Sequence, residues 1–196
     1  REPARTYLVG IEARLRAGPR YDDVPDLEVA AHKAHLAIEA RGTLKHRDAE
    51  WMALYARRWN RSIVSPDFAM ALHGAHYLTS ADVVPLLVLF SLETGLELEC
   101  CKTLTIDCLR NASGGTVEIA YTKLRAHGAE HKTIRVRDGA STTPGGLIRR
   151  IIALTAKARV HHASDCLWVY YQHGEITAGI RHPRMTIDAW TQRHGI

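Results

Sequence analysis

The sequence predicts an α+β fold, mainly helical, with one small three-stranded antiparallel sheet packed at an edge. Three observations predict it. The first third repeats apolar residues at helical spacing. A continuous apolar run, Val83 to Phe90, follows a Thr79/Asp82 pair and ends near Thr94-Gly95. Between Leu104 and Arg137 the pattern then shortens to strand-like segments separated by Gly-containing links.

Taken in order, Tyr7, Leu8, Ile11 and Leu15 define one face of a first helix that Gly18-Pro19 stops. Asp26 is a suitable N-cap for a second helix carrying Leu27, Ala30, Ala31, Leu36 and Ile38 and ending at Gly42. A third is expected over Arg47 to Trp59, with Trp51, Leu54 and Tyr55 inward. Arg57, Arg58 and Arg61 near its end read as an ordinary solvated helix end, where cations suit the macrodipole. The helix containing Val83 to Phe90 is apolar on every side and therefore belongs at the centre, with Pro85 early enough for the first turns to absorb it. A short helical turn carries Leu98, Cys100, Cys101 and Leu104.

Strands are expected at Leu104 to Leu109, Thr116 to Thr122 and Lys132 to Arg137, linked by Asn111 to Gly115 and by a polar loop containing Gly128. Thr143-Pro144 is an N-cap followed by Pro at the first helical position. The helix behind it buries Leu147, Ile148, Ile151 and Leu154 and exposes Arg149, Arg150, Lys157 and Arg159. Cys166 to Tyr171 reads as a strand or a buried extended segment, and Met185 to His194 as a last short helix.

Composition narrows the function classes. With 196 residues, 46% of them hydrophobic, the chain can bury a core. No apolar run approaches the roughly 20 residues that span a bilayer, and no signal peptide is visible. The chain opens at Arg1 without an initiator Met, which suggests a preceding part. Cys100, Cys101, Cys108 and Cys166 form neither a C-x-x-C pair nor a zinc spacing, so a structural role in a reducing, cytoplasmic setting is expected. His32-x-x-His35 and His73-x-x-His76 each put two imidazoles on one helical face, and His161-His162 are adjacent. No H-E-x-x-H arrangement or Cys pair accompanies them, so no metal is expected. No nucleotide-binding fingerprint is present either, and no cofactor is expected. The net charge of +5 permits a polyanionic partner.

An apolar helix ends in Thr94-Gly95, and Leu104 follows ten residues after that Thr. Asp107 comes next. Then come Thr116 to Lys123 with Lys at the strand tip, Thr133 to Val136, and a helix opening Thr143-Pro144-Gly145-Gly146. This ordered set of motifs resembles the catalytic domain of the tyrosine recombinases, the phage integrase family, and especially a divergent actinobacterial integrase-like branch, with Asp107 one residue closer to Leu104 than is common there.

The resemblance implies a DNA breaking-rejoining fold, with residues 77–196 as the core and residues 1–76 as a helical N-terminal part or insertion. It implies double-stranded DNA as partner, self-association on DNA, and strand exchange through a phosphotyrosine link without metal or ATP. Lys123 matches the hairpin general acid. The first clamp Arg, which would grip the scissile phosphate, is replaced: it should fall two or three residues after Thr94, and those positions hold Leu96 and Glu97. No His is followed by Arg at the third position, and no Tyr follows such a box; Tyr170 and Tyr171 precede its place and read as core aromatics. The chain is thus expected to be an incomplete, inactive catalytic domain. Lys123, Arg125, Lys132, Arg135, Arg137, Arg149 and Arg150 are its candidate DNA-binding residues. A recombinase-derived DNA-binding protein without cleavage activity is the alternative, and a helical protein–protein interaction domain is a third.

Overall fold

A computed structural model of the chain describes residues 2–18, 28–44, 66–125, 128–180, 187–188 and 191–192. The fold is α+β, about half helical. Its elements run α1 (Glu2–Ala17), α2 (Glu28–Arg41), α3 (Pro66–Gly74), α4 (Ser80–Thr94), α5 (Leu98–Lys102), β1 (Leu109–Ser113), β2 (Thr116–Arg125), β3 (Gly128–Arg137), α6 (Pro144–His161), β4 (Val169–Gln172) and β5 (Glu175–Ala178). The helix expected over Arg47 to Trp59 lies outside the described residues, as does most of the one expected over Met185 to His194; residues 187–188 and 191–192 are helical.

Helix α4 is the axis of the main core. Val83, Val84, Leu86, Leu87, Leu89 and Phe90 are all buried, as a helix apolar on every side requires. Leu8 and Ile11 of α1, Ile119 of β2, Leu147, Ile148 and Ile151 of α6, and Trp168 close around it. The Trp168 indole N–H donates to the Cys101 carbonyl at 2.7 Å, joining the approach to β4 to α5. A second core forms from Ala34 and Ile38 of α2, Leu72, Tyr77, Ala158, Val169, Tyr171 and Ile176. Of the apolar residues expected on α2, Ile38 is buried and Leu36 is 52% exposed, with Ala34 buried instead; the expected Asp26 cap and Leu27 lie outside the described residues.

The start of α4 is fixed by charge. The Asp82 carboxylate is 1% exposed and accepts from the Thr79 N–H (2.7 Å) and hydroxyl (2.8 Å). Arg14 of α1 grips the same carboxylate through both terminal nitrogens, at 3.1 and 2.6 Å, and gives its Nε–H to the Gly74 carbonyl at 2.6 Å. One ion pair therefore ties α1, the end of α3 and the start of α4 together.

The three-stranded sheet has the order β1-β2-β3, antiparallel throughout. Its first strand is not where alternation put it. Leu104 and Cys108 are buried as expected, but Thr105 bridges Cys166, Leu167 N–H donates to the Leu104 carbonyl at 2.8 Å, and the chain turns at Ile106-Asp107. The sheet takes up only at Leu109 and uses most of the expected link as strand. Gly114 (φ 55°) and Gly115 (φ 74°) alone make the turn, both left-handed, which is the geometry of a two-residue hairpin loop. Gly128, expected in a loop, pairs with Arg125 and opens β3. The β4–β5 hairpin, of which only Cys166 to Tyr171 was foreseen, forms a separate two-stranded sheet.

Helix α6 begins as its sequence requires, the Thr143 hydroxyl accepting from Gly146 N–H. The two glycines answer to close packing. A Cβ on Gly145 would meet Val117 and Asp138 within 2.7 Å, and one on Gly146 would lie 2.1 Å from the Ala140 carbonyl oxygen. Arg159, expected on the exposed face, instead turns inward to donate to the carbonyls of Ser164, Cys166 and Leu167 at 2.6 to 3.0 Å. Arg150 is also mostly covered and pairs with Glu12 of α1, and Leu154 is only half-buried.

Two outcomes follow for stability. Asp82→Ala removes a helix-start acceptor and the partner of Arg14, whose side chain is 38% exposed and so open to solvent, and is expected to cost about 1–3 kcal/mol in chemical denaturation. A double-mutant cycle with Arg14→Ala is expected to be strongly non-additive; additive costs would show that the two groups act independently. Gly146→Ala is expected to cost several times the ~1 kcal/mol of an ordinary point substitution, because backbone and not a flexible side chain stands in the way; an unchanged unfolding midpoint would contradict this packing.

Candidate nucleic-acid interface

The β2–β3 hairpin carries most of the basic residues singled out by sequence, and strand alternation sorts them. Val117, Ile119, Tyr121 and Lys123 share one face of β2, opposite Val136, Ile134, Lys132 and Glu130 of β3. The inner part of that face is core, and α5 packs against β2. Arg135 and Arg137 fall on the opposite, exposed face with Thr116 and Glu118. Lys123 and Lys132 are thus separated by the sheet from Arg135 and Arg137. Arg125 closes β2, and its side chain lies outside the described residues.

Most of these cations meet carboxylates. Lys123 Nζ lies 2.7 Å from Glu97 Oε1, joining β2 to the residue before α5. Lys132 pairs with Glu130 at 3.0 Å, and Arg135 with Glu118 at 2.6 Å while also reaching the Thr116 hydroxyl. Asn111 and then Arg135 hold the Glu118 carboxyl below its usual range through hydrogen bonds. Arg149 reaches Asp138 at 2.8 Å and depresses its pKa in the same way. Arg137 is exposed and makes no ion pair among the described residues. So Glu97 and Lys123, distant in sequence, meet in one pair, while Arg149 sits beside the sheet and Arg150 is committed to α1.

The groups set aside as structural behave so. Cys100, Cys101 and Cys108 are buried and free, and burial pushes the Cys101 and Cys108 thiols up to about 12. Tyr170 and Tyr171 are buried core aromatics, and burial raises the Tyr171 hydroxyl.

The sequence did not reveal a second polar cluster, in which the two His-x-x-His pairs converge. His35 and Glu39 stand one turn apart on α2, and His76 follows α3. Lys157 of α6 donates to Glu39 Oε1 and approaches His76 Nδ1 at 2.8 Å. An ammonium only donates, so Nδ1 accepts and Nε2 carries the His76 proton, which goes to His35 Nδ1 at 2.8 Å. His73 accepts from Leu44 N–H at 3.2 Å and stacks on Tyr171 with ring centroids 3.7 Å apart. Burial, and then the Lys157 charge, lower His76 from 6.5 to about 4. Glu39 was invisible beforehand because its only mark in sequence is a position four residues after His35.

No protein-family model, curated protein or solved structure matches this chain. No helix among the described residues is long and apolar enough to cross a membrane.

Between pH 6.5 and about 4 the unfolded chain binds a proton that folded His76 refuses. With divalent ions chelated, stability is therefore expected to be intact above pH 6.5 and to fall as pH drops toward 4. The facing groups are Lys157, His35, His73 and Glu39, of which the first three also oppose His76 protonation. Thermal midpoints across this window check it: His76→Gln is expected to flatten the slope, and an equal slope in the variant would assign the acid sensitivity elsewhere.

Proposed function

We propose that this chain is a recombinase-type DNA-contacting domain that binds duplex DNA without cleaving it. One observation carries the reading. The two positions that the family resemblance marks for chemistry, the clamp position at Glu97 and the hairpin Lys123, come together at 2.7 Å. A clamp arginine there would leave two cations facing a phosphate. A carboxylate instead repels phosphate and neutralises the lysine that would serve as general acid. The order of elements around the pair also supports the reading: a central helix ending in Thr94-Gly95, a short helix, a three-stranded sheet with Lys123 on its second strand, and a Thr143-capped helix. With no matching relative, the reading rests on this motif order and on the pair.

Binding of this kind draws on Arg137, on Lys132, whose Glu130 partner is exposed enough to yield to a phosphate, and on Arg149, whose own guanidinium is half exposed beside a largely covered Asp138. Its affinity should be modest and steeply salt-dependent. Fluorescence anisotropy with a labelled duplex at several salt concentrations tests it. Arg137→Ala is expected to weaken binding across all sequences and reduce the salt slope by about 1. Glu97→Gln removes a carboxylate from beside Lys123 and is expected to tighten binding and increase the slope by a similar amount. Absence of salt-dependent affinity would sink the DNA reading. A covalent adduct on a nicked duplex would overturn the non-cleaving part and return the enzyme reading.

A further inference from the structure

The cluster at the α2–α3–α6 junction has no part in that reading, and its donor set is that of a metal site. We propose that His35, Glu39 and His76 bind a divalent transition metal of the zinc class, with Lys157 holding the seat in its absence. Two imidazoles and a carboxylate are borderline donors that suit Zn2+ and its neighbours and not Mg2+ or Ca2+, which take mostly oxygen. One donor atom from each residue can be chosen so that all three lie within 4.8 Å of one another. His76 Nδ1 and Glu39 Oε1 are 3.4 Å apart, close to the roughly 3.3 Å between two ligands held tetrahedrally at about 2.0–2.1 Å from zinc.

Lys157 is what makes the cluster more than a collection of donors. Its ammonium sits between the Glu39 carboxylate and the His76 lone pair, so both already face a cation. His76 is fixed in the tautomer with Nδ1 open, the form a metal needs. A divalent ion would replace the single charge of Lys157 at the same place. That lysine is 42% exposed, and its four-carbon stem lets it leave for solvent. A groove of about 340 Å³ lined by Glu12, Leu15, Arg16, Leu154, His76 and Lys157 opens onto the site. Closing on a common ion also requires the His35 ring to rotate from its bond with His76, with water as the fourth ligand. The site would bolt α2 to the rest of the domain.

Chelator-stripped protein titrated calorimetrically with Zn2+ tests the proposal, with Co2+ absorption reporting tetrahedral geometry. Saturable 1:1 binding is expected, with a rise in Tm that Mg2+ does not produce. Glu39→Gln, at an exposed position, and His35→Ala, checked for folding by its far-UV CD and Tm without metal, are each expected to weaken Zn2+ at least tenfold. Lys157→Met removes the competing cation and is expected to tighten it. His131→Ala, on the exposed face of the hairpin, is expected to leave it unchanged. No saturable binding, equal affinity in Glu39→Gln or His35→Ala, or weaker binding in Lys157→Met would each overturn the site.

Discussion

The buried Asp82 carboxylate is the group on which the arrangement of helices depends. A charge with almost no solvent must be met by donors, and here they come from two structural steps: the N–H and hydroxyl of Thr79 at the helix start, and two guanidinium nitrogens of Arg14 from α1. Satisfying it sets the angle at which α4 enters the core and the face that α1 presents. The same turn carries the Thr79 bridge to Tyr171, and Leu78 accepts from Tyr171 N–H at 2.8 Å, so β4 takes its place from it too. Specificity of this sort is costly in desolvation, and it explains why a buried acidic residue stands at the head of the most apolar segment of the chain.

Charge pairing also governs the sheet. On a hairpin with unpaired cations, a polyanion would find an open field. On this one, carboxylates from β2, β3, the turn after β3 and the residue before α5 lie beside the basic groups. Exposed pairs are individually weak, so a phosphate can compete for each of them, but only by exchanging partners. The face is therefore gated by its own acids, and its response to ionic strength should reflect both sets of charges.

Where the sequence was legible, one physical signal dominated. The all-round apolar helix, its Thr79/Asp82 start, the Thr94-Gly95 stop and the Thr143-Pro144 cap are local rules with no competitor, and each stands where it was read. The first strand falls elsewhere because Leu104, Ile106 and Cys108 alternate like a strand while the backbone partners of Leu104, Thr105 and Ile106 lie beyond residue 160. Arg150 and Arg159 were read as solvent-facing, since helical periodicity does not reveal that Glu12 or three distant carbonyls wait for them. At the candidate site, the sequence named both Glu97 and Lys123 but could not show that they meet. Parity along β2 and β3 was available from the start and would have separated Lys123 from Arg135, had the register been known. The His35–Glu39–His76 junction is tertiary in origin, joining one turn of α2 to a residue some forty positions on.

The sheet is uneven in width. Strand β1 lies beside β2 only from Thr116 to about Ile119, so from Tyr121 outward β2 and β3 continue as a bare two-stranded ribbon. Mechanically that ribbon is a cantilever: rooted in the core at Val117 and Ile119, free at its tip, and stayed partway along by the bond from Lys123 to Glu97. A stay placed there shortens the free span and raises the bending frequency of everything beyond it. Beside it the Thr103 hydroxyl donates to the Thr122 carbonyl at 3.2 Å, so cutting the Lys123 bond alone would change the charge at the ribbon's middle while leaving a second stay in place.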